Sequence, residues 1–103
     1  MPELPVIVEH IDSGLEELLD RFFELSRIDL DQMQAAVDNG DFETLVRLGH
    51  TAKGTGHGYG FHGMGDIGGA IEQAALGRDL EAVNSHVDRM RHYLENVQIK
   101  FIE

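Results

Sequence analysis

Glycine is concentrated in one part of this 103-residue chain: nine of its twelve glycines lie between Gly49 and Gly69. The apolar residues around them repeat at helical spacing, and each glycine inside a helix costs about 1 kcal/mol relative to alanine. Such a density needs a structural reason. We expect either that another molecule approaches this backbone closely or that neighbouring helices pack at short distance, which Gly68 and Gly69 would allow.

Helical periodicity begins well before this stretch. Ser13 is a candidate N-cap with Glu16 in capping-box position, and the apolar repeat that follows is blurred near residues 26–29 before it closes at Gly40. Asp41 can cap a second helix, whose buried stripe reaches Gly56. Gly60 is a natural end or kink for that helix.

Two further helices are predicted after Gly60. One covers about residues 62–76, and a turn at residues 77–79 separates it from the last. Apolar residues then recur in steps of three and four from Leu80 to Phe101, as in a helix that packs in a bundle. No segment alternates convincingly as a strand. The pattern predicts an all-α protein, an antiparallel up-down four-helix bundle with a short N-terminal arm.

The arm is expected at residues 1–12 and the bundle at residues 13–103. Pro2 and Pro5 argue against a helix in the arm. Its apolar run, residues 4–8, is expected to be either a strand fragment or an extended segment packed on the bundle.

Composition narrows the classes of function. The formal net charge is −11, with 8 Lys and Arg against 19 Asp and Glu, so nucleic acid is a poor partner. The chain has no cysteine, which excludes disulfides and thiolate metal sites. We expect no signal peptide, because residues 1–8 lack a basic region and a long apolar core, and no membrane span, because the apolar runs are only a few residues long. We expect a single-domain, cytoplasmic protein that works as a monomer.

The candidate chemistry lies within the glycine-rich stretch. His50 falls outside the buried stripe of the second helix, on its exposed flank. Lys53 and Gly54 lie one turn away, so a positive charge stands beside the imidazole and a side chain is missing where a partner could approach. His57 lies two turns from His50 on the same face.

Other chemistries fit these residues less well. His50 and His57 are about 10 Å apart along a helix, too far to share one metal ion without further ligands, and His62 lies beyond the glycine break. The order Lys53-Gly54 on a helix is not a phosphate-binding loop. No serine has a nucleophile-elbow context. A histidine-based metal protein stays a minor alternative.

Nucleophilic catalysis by the imidazole remains. A neutral imidazole nitrogen can attack a phosphoryl group and hold it, while Lys53 pairs with the phosphoryl oxygens. Gly54 and Gly58 leave room for an incoming active site. The residue types equally allow a partly buried structural histidine among tightly packed glycines.

The pattern His50-x-x-Lys53-Gly54-x₅-Gly60 resembles the signature of histidine-containing phosphotransfer (HPt) domains. The run-up over residues 39–50 is similar to that family too, and the resemblance covers roughly residues 13–101.

The resemblance implies a four-helix bundle without kinase activity, a phosphocarrier rather than an enzyme. His50 would be the phosphoacceptor, Lys53 would stabilise the phosphoryl group, and Gly54 and Gly60 would provide partner clearance and shape the helix end. The chain would act in a bacterial two-component phosphorelay, with a response-regulator receiver domain, a histidine kinase or both as partners. It would need no cofactor of its own, because magnesium would come with the receiver.

Two departures from the family pattern concern Ala52, where a larger apolar residue is common, and His57, where a small residue is common. His57 is a possible modulator of the charge near the site or a second acceptor. A bundle that binds a receiver without phosphotransfer, as a scaffold, stays open as the main alternative.

Overall fold

The computed structural model describes residues 6–103 and confirms the predicted four-helix bundle. Two short strands flank the four helices. In chain order the elements are β1 (Val8–Asp12), a 3₁₀ helix (Ser13–Leu18), α1 (Leu19–Asn39), α2 (Phe42–Tyr59), α3 (His62–Leu76), α4 (Leu80–Asn96) and β2 (Gln98–Ile102).

The end of α1 and both ends of α2 lie at the predicted cap residues. Gly40 and Gly60 end these helices in the left-handed conformation, with φ of 62° and 93°, a region that glycine enters without steric cost. Asp41 caps α2 by accepting a hydrogen bond from the Thr44 amide at 3.1 Å. The hydrogen bonds from the Thr44 hydroxyl and amide lower the pKa of the Asp41 carboxyl.

The start of the first helix differs from the prediction. Asp12, not Ser13, is the cap: its carboxylate accepts a hydrogen bond from the Gly14 amide at 2.7 Å, and the chain enters the 3₁₀ helix directly from β1. The α-helical part begins only at Leu19. It then continues without a break through residues 26–29, where Ser26 is buried and its hydroxyl donates to the Phe22 carbonyl at 2.8 Å.

The prediction that the last helix continues to Phe101 is wrong, because residues 98–102 form a strand that the apolar spacing does not indicate. α4 ends at Asn96, whose side-chain amide donates to the His92 carbonyl at 2.8 Å. Val97 is extended, and the Gln98 amide then donates to the Ile7 carbonyl at 2.8 Å. Of the apolar residues past the helix, Val97 and Ile99 pack against the core, whereas Phe101 is 42% exposed.

The strands β1 and β2 pair in parallel, from Val8 opposite Gln98 to Asp12 opposite Ile102. Of the apolar run predicted at residues 4–8, residues 4 and 5 lie outside the described part of the chain. Ile11 of β1 is fully buried in the core.

Glu9 of β1 joins the strand pair to the bundle. This buried carboxylate accepts hydrogen bonds from the Tyr93 hydroxyl at 2.6 Å and from the Gly63 amide at 2.7 Å, in the first turn of α3. Burial and the Glu9 carboxylate raise the pKa of Tyr93 above its usual value. The contact also supplies the cap that α3 lacks locally, since Phe61 at its N-cap position has no side-chain acceptor.

The core lies between the four helices and beneath β1. The rings of Phe22, Tyr59 and Phe61 stack with centroids 4.5 and 4.9 Å from Phe22, which fixes the end of α2 against α1. The largest fully buried side chains are those of Phe61, Ile11, Met33, Leu45, Ile71, Met90, Val83 and Val87.

Candidate functional site

Glycines bring α2 and α3 into backbone contact. A Cβ atom added at Gly49 would lie 2.7 Å from the Glu72 amide nitrogen, and one at Gly56 would lie 2.6 Å from that of Gly65. A Cβ at Gly68 would lie 2.6 Å from the backbone nitrogen of α2 at Lys53. These distances are shorter than any van der Waals contact. The predicted close packing of neighbouring helices is therefore confirmed, and it accounts for three of the nine glycines, Gly49, Gly56 and Gly68.

The two helices run antiparallel, because residues later in α2 meet residues earlier in α3. Position 50 faces position 72, position 53 faces position 69, and position 57 faces position 66. The close approach has a chemical result: side chains on the exposed flank of α2 reach short polar side chains on α3.

His50 is held by one of these cross-helix contacts. Its Nδ1 atom lies 2.8 Å from Oε2 of Glu72, while 73% of the His50 side chain and 13% of the Glu72 side chain are exposed. An ionised carboxylate only accepts hydrogen bonds, so Nδ1 is the donor, and in the neutral ring Nε2 then presents its lone pair. The predicted position of His50 on the exposed flank of α2 is confirmed.

Lys53 and Gly54 lie where the helical spacing predicts. Lys53 is exposed, and its aliphatic chain passes over Gly69 of α3, at 3.5 to 4.0 Å from the place of a Cβ atom there. A Cβ atom at Gly54 or at Gly58 would meet nothing within 4 Å. The backbone of α2 is therefore open to solvent one turn after His50.

Gly60 lies at the end of α2, where the chain packs against β1. It ends α2 in the left-handed conformation, and a Cβ atom there would lie 3.3 Å from Cδ1 of Ile11 and 3.5 Å from the carbonyl oxygen of His10. The predicted helix end is confirmed, and it is packed against β1.

His57 repeats the arrangement of His50 with the ring reversed. Its Nε2 atom lies 3.1 Å from Oδ1 of Asp66, and 43% of the His57 side chain is exposed against 76% of the Asp66 side chain. The imidazole lies over Gly65, where an added Cβ atom would overlap the ring. The Nε2 atom that is free in His50 is therefore engaged in His57.

The three histidines of the stretch do not converge. The ring centroids of His57 and His62 are 6.2 Å apart, and His50 and His57 bind different carboxylates. Within residues 6–103 there is no group of three or more His, Cys, Asp or Glu side chains that could hold a metal ion.

On its other side, α2 borders α1 across an open groove of about 310 Å³. Leu18 and Leu25 of this groove are exposed apolar residues, at 49% and 44%. The lining residues are Leu18, Arg21, Phe22, Leu25, Ser26, Asp29, Thr51, Thr55 and Tyr59. Because Thr51 follows His50 directly, this apolar groove opens beside the candidate site.

Sequence reasoning missed Glu72 and Asp66. They lie 22 and 9 residues from their histidines, so no local motif marks them. The signal that could have found them is the glycine pattern itself. Pairing Gly56 with Gly65 in antiparallel register brings Glu72 opposite Gly49, the residue next to His50.

The fold and this site define a helical-bundle protein that presents a carboxylate-bound imidazole on its surface. The Hpt domain family matches residues 17–100, and the chain belongs to this family. Hpt domains carry phosphoryl groups on histidine in phosphorelays; they are phosphocarriers rather than kinases or hydrolases, and they interact with receiver domains and histidine kinases. Searches of curated proteins and of solved structures find no match. Across the described residues, no helix combines the length and apolarity needed to span a bilayer.

Proposed function

We propose that this chain carries a phosphoryl group on Nε2 of His50, between the receiver-domain aspartates of a bacterial two-component phosphorelay or from a histidine kinase. The observation that supports this most is the hydrogen bond between His50 Nδ1 and Glu72. It selects the tautomer in which Nε2, on the exposed flank of α2, is the nucleophile.

The transfer step follows from this tautomer. Nε2 of His50 attacks the phosphorus of an aspartyl phosphate, the bond from phosphorus to the aspartyl oxygen breaks, and the aspartate leaves as a carboxylate. The proton stays on Nδ1, so the ring becomes positively charged as the new N–P bond forms. Glu72 stabilises that charge at 2.8 Å. Transfer onward to a second aspartate is the same step in reverse.

Lys53 supplies the second charge. One helical turn from His50, its ammonium group can pair with the oxygens of the phosphoryl group in the transition state and afterwards. Its chain passes over Gly69, which directs it along the α2–α3 boundary rather than into solvent alone. Magnesium would come with the receiver.

The surface around His50 suits an acidic phosphoryl donor. α2 carries Arg47 and Lys53 against Glu43, a formal charge of +1, whereas each of the other three helices of residues 6–103 is formally negative. No Asp or Glu occurs in residues 44–60. Although the net charge of the chain is −11, the exposed face of α2 is locally positive and attracts the acidic residues around a phosphorylated aspartate.

The experiment incubates the chain with a panel of purified receiver domains that have been radiolabelled at their aspartates. Wild type is expected to take up acid-labile label, and His50→Gln is expected to take up none. His62→Gln removes another exposed imidazole, from α3, and serves as the matched control, with uptake like that of wild type. Equal labelling of His50→Gln would show that His50 is not the acceptor. Receiver binding without labelling of any variant would point to a non-catalytic scaffold.

A further inference from the structure

The pair formed by His57 and Asp66 is exposed yet specifically built. Its Nε2–Oδ1 distance is 3.1 Å, and both side chains are more than 40% exposed. An exposed pair of this kind adds little to stability. Gly65 nevertheless leaves the space in which the His57 ring lies. The pair thus has an ordered geometry on a surface where folding does not require one.

The position of the pair relates it to the proposed acceptor. His57 follows His50 by two helical turns on the same flank of α2, which is about 10 Å along the axis. A specific protein interface covers about 800 Å² on each partner, a patch roughly 30 Å across. A receiver centred on His50 therefore covers His57 and Asp66 as well.

Charge decides what the pair can contact. On the α2 side of this surface, Arg47 and Lys53 favour acidic groups of the partner. On the α3 side, Asp66 is a 76% exposed carboxylate with one oxygen bound to His57 and lone pairs left on the other. His57 fixes the direction of that carboxylate before the partner arrives, so less rotamer entropy is lost on docking.

We infer that Asp66 is a receiver-selecting contact of this domain, held in position by His57, and that it binds a basic side chain of the partner two helical turns along α2 from His50. This inference rests on the proposed function. His57 is then a positioning residue for Asp66, to which its Nε2 atom donates, rather than a second phosphoacceptor. Receivers with a basic residue at that place are favoured, and receivers with an acidic one are repelled.

The test measures phosphoryl transfer from labelled receivers as a function of receiver concentration, for wild type, Asp66→Asn, His57→Ala and Gly65→Ala. With the receiver that wild type uses best, Asp66→Asn is expected to raise KM roughly three- to fivefold, with the rate at saturation unchanged and a weaker dependence on salt. Gly65→Ala displaces the His57 ring without changing any charge and is expected to raise KM by a smaller factor, as is His57→Ala. Glu81→Gln, an equal change of charge on α4, is the control and should match wild type.

The outcomes separate this inference from the proposed function. Unchanged KM in Asp66→Asn, or a lower rate at saturation instead of a higher KM, would overturn the role of Asp66. Label on His57 in the His50→Gln background would overturn the assignment of His57 as a positioning residue. Circular dichroism of each variant shows that the helices are intact. Failure of wild type to exchange label with any receiver would contradict the proposed function and this inference together.

Discussion

Oε2 of Glu72 lies 2.8 Å from Nδ1 of His50, and the carboxylate is far more buried than the imidazole it binds. Glu72, which accepts the hydrogen bond, thus belongs to the packed α2–α3 boundary, while His50, the proposed nucleophile, faces the solvent. A partner can reach Nε2 without disturbing the group that fixes the tautomer. The proposed reactivity of His50 is therefore a property of two helices, and Glu72 is the first residue to test.

Glu72→Ala is expected to lower the rate of phosphoryl transfer at saturating receiver by about tenfold, because the ring loses both its orientation and the compensating charge. Glu72→Gln keeps an acceptor oxygen for Nδ1 and is expected to lose less. Single-turnover label transfer measures both. Glu81→Ala, on α4, is the matched control, and a rate for Glu72→Ala equal to that of the control would refute the role of Glu72.

Lys53→Ala is expected to keep the fold and to slow transfer by about tenfold, because a charge-assisted contact to the phosphoryl oxygens is lost. Lys53→Arg should retain part of the rate. Lys100→Ala removes the same charge from β2, away from the site, and should leave the rate unchanged. If the variants at positions 53 and 100 behave alike, Lys53 acts only through the overall charge of the chain.

Two glycines of α2 are expected to respond in opposite directions to alanine. Gly56→Ala places a Cβ atom 2.6 Å from the backbone of α3 and should destabilise the fold by about 1–3 kcal/mol. Gly54→Ala meets nothing within 4 Å and should stabilise it by about 0.5–1 kcal/mol through helix propensity. Urea unfolding followed by circular dichroism gives both free energies. Equal effects at the two positions would contradict the close packing of α2 and α3.

Gly54→Leu tests the clearance beside His50. The side chain enters open solvent, so the free energy of unfolding should not fall, but it stands one turn from the imidazole on the face that a receiver must cover. Receiver binding and transfer are expected to fall by about tenfold or more. Gly54→Ala adds only a Cβ atom that meets nothing within 4 Å, so comparing the two variants shows whether the loss depends on the size of the side chain at position 54. If Gly54→Leu bound the receiver as well as wild type does, the missing side chain at position 54 would not be needed for the approach of the receiver.

The contact of Tyr93 with Glu9 predicts a loss of stability at alkaline pH. Burial and the Glu9 carboxylate raise the pKa of Tyr93 in the folded state, whereas tyrosine in the unfolded chain ionises near pH 10. Below about pH 10 the phenol is protonated in both states, and its contribution to stability is complete. As the pH rises further, the unfolded chain releases this proton and the folded chain retains it, so the free energy of unfolding falls.

Tyr93→Phe checks this linkage. At neutral pH it should destabilise the fold by about 1–3 kcal/mol, because the buried Glu9 carboxylate loses one of its two donors. Above about pH 10 its stability should fall less steeply than that of wild type. Urea titrations between pH 7 and pH 11 give both slopes, and Tyr59→Phe controls for ionisation of the other tyrosine. Parallel curves would show that Tyr93 does not carry the alkaline dependence.

Much of the bundle could be predicted because its signals are local. Gly40 and Gly60 mark helix ends through a backbone conformation that glycine prefers, and Asp41 marks a helix start through its own side chain. The exposure of His50 follows from the period of one helix. Each of these statements depends on residues within a few positions of one another.

The strands and the carboxylate partners could not be predicted in that way. Phe101 continues the apolar spacing of α4, but pairing with β1 takes residues 98–102 out of the helix, and β1 is nearly the whole chain length away. Glu72 is likewise recognisable only once the register of α2 against α3 is known. Local sequence patterns do not identify the distant backbone or side-chain group to which a given polar group hydrogen-bonds.

Glu9 has a consequence for the order in which the protein folds. It contacts the first turn of α3 from β1, and β1 pairs with β2, which lies more than eighty residues later in the chain. Contacts of such sequence separation carry the largest loop-closure cost and form late. The helices can therefore assemble around the core first, while the start of α3 remains frayed until the two strands meet. In hydrogen exchange, the amide of Gly63 should open together with those of β1 and β2 rather than with the rest of α3.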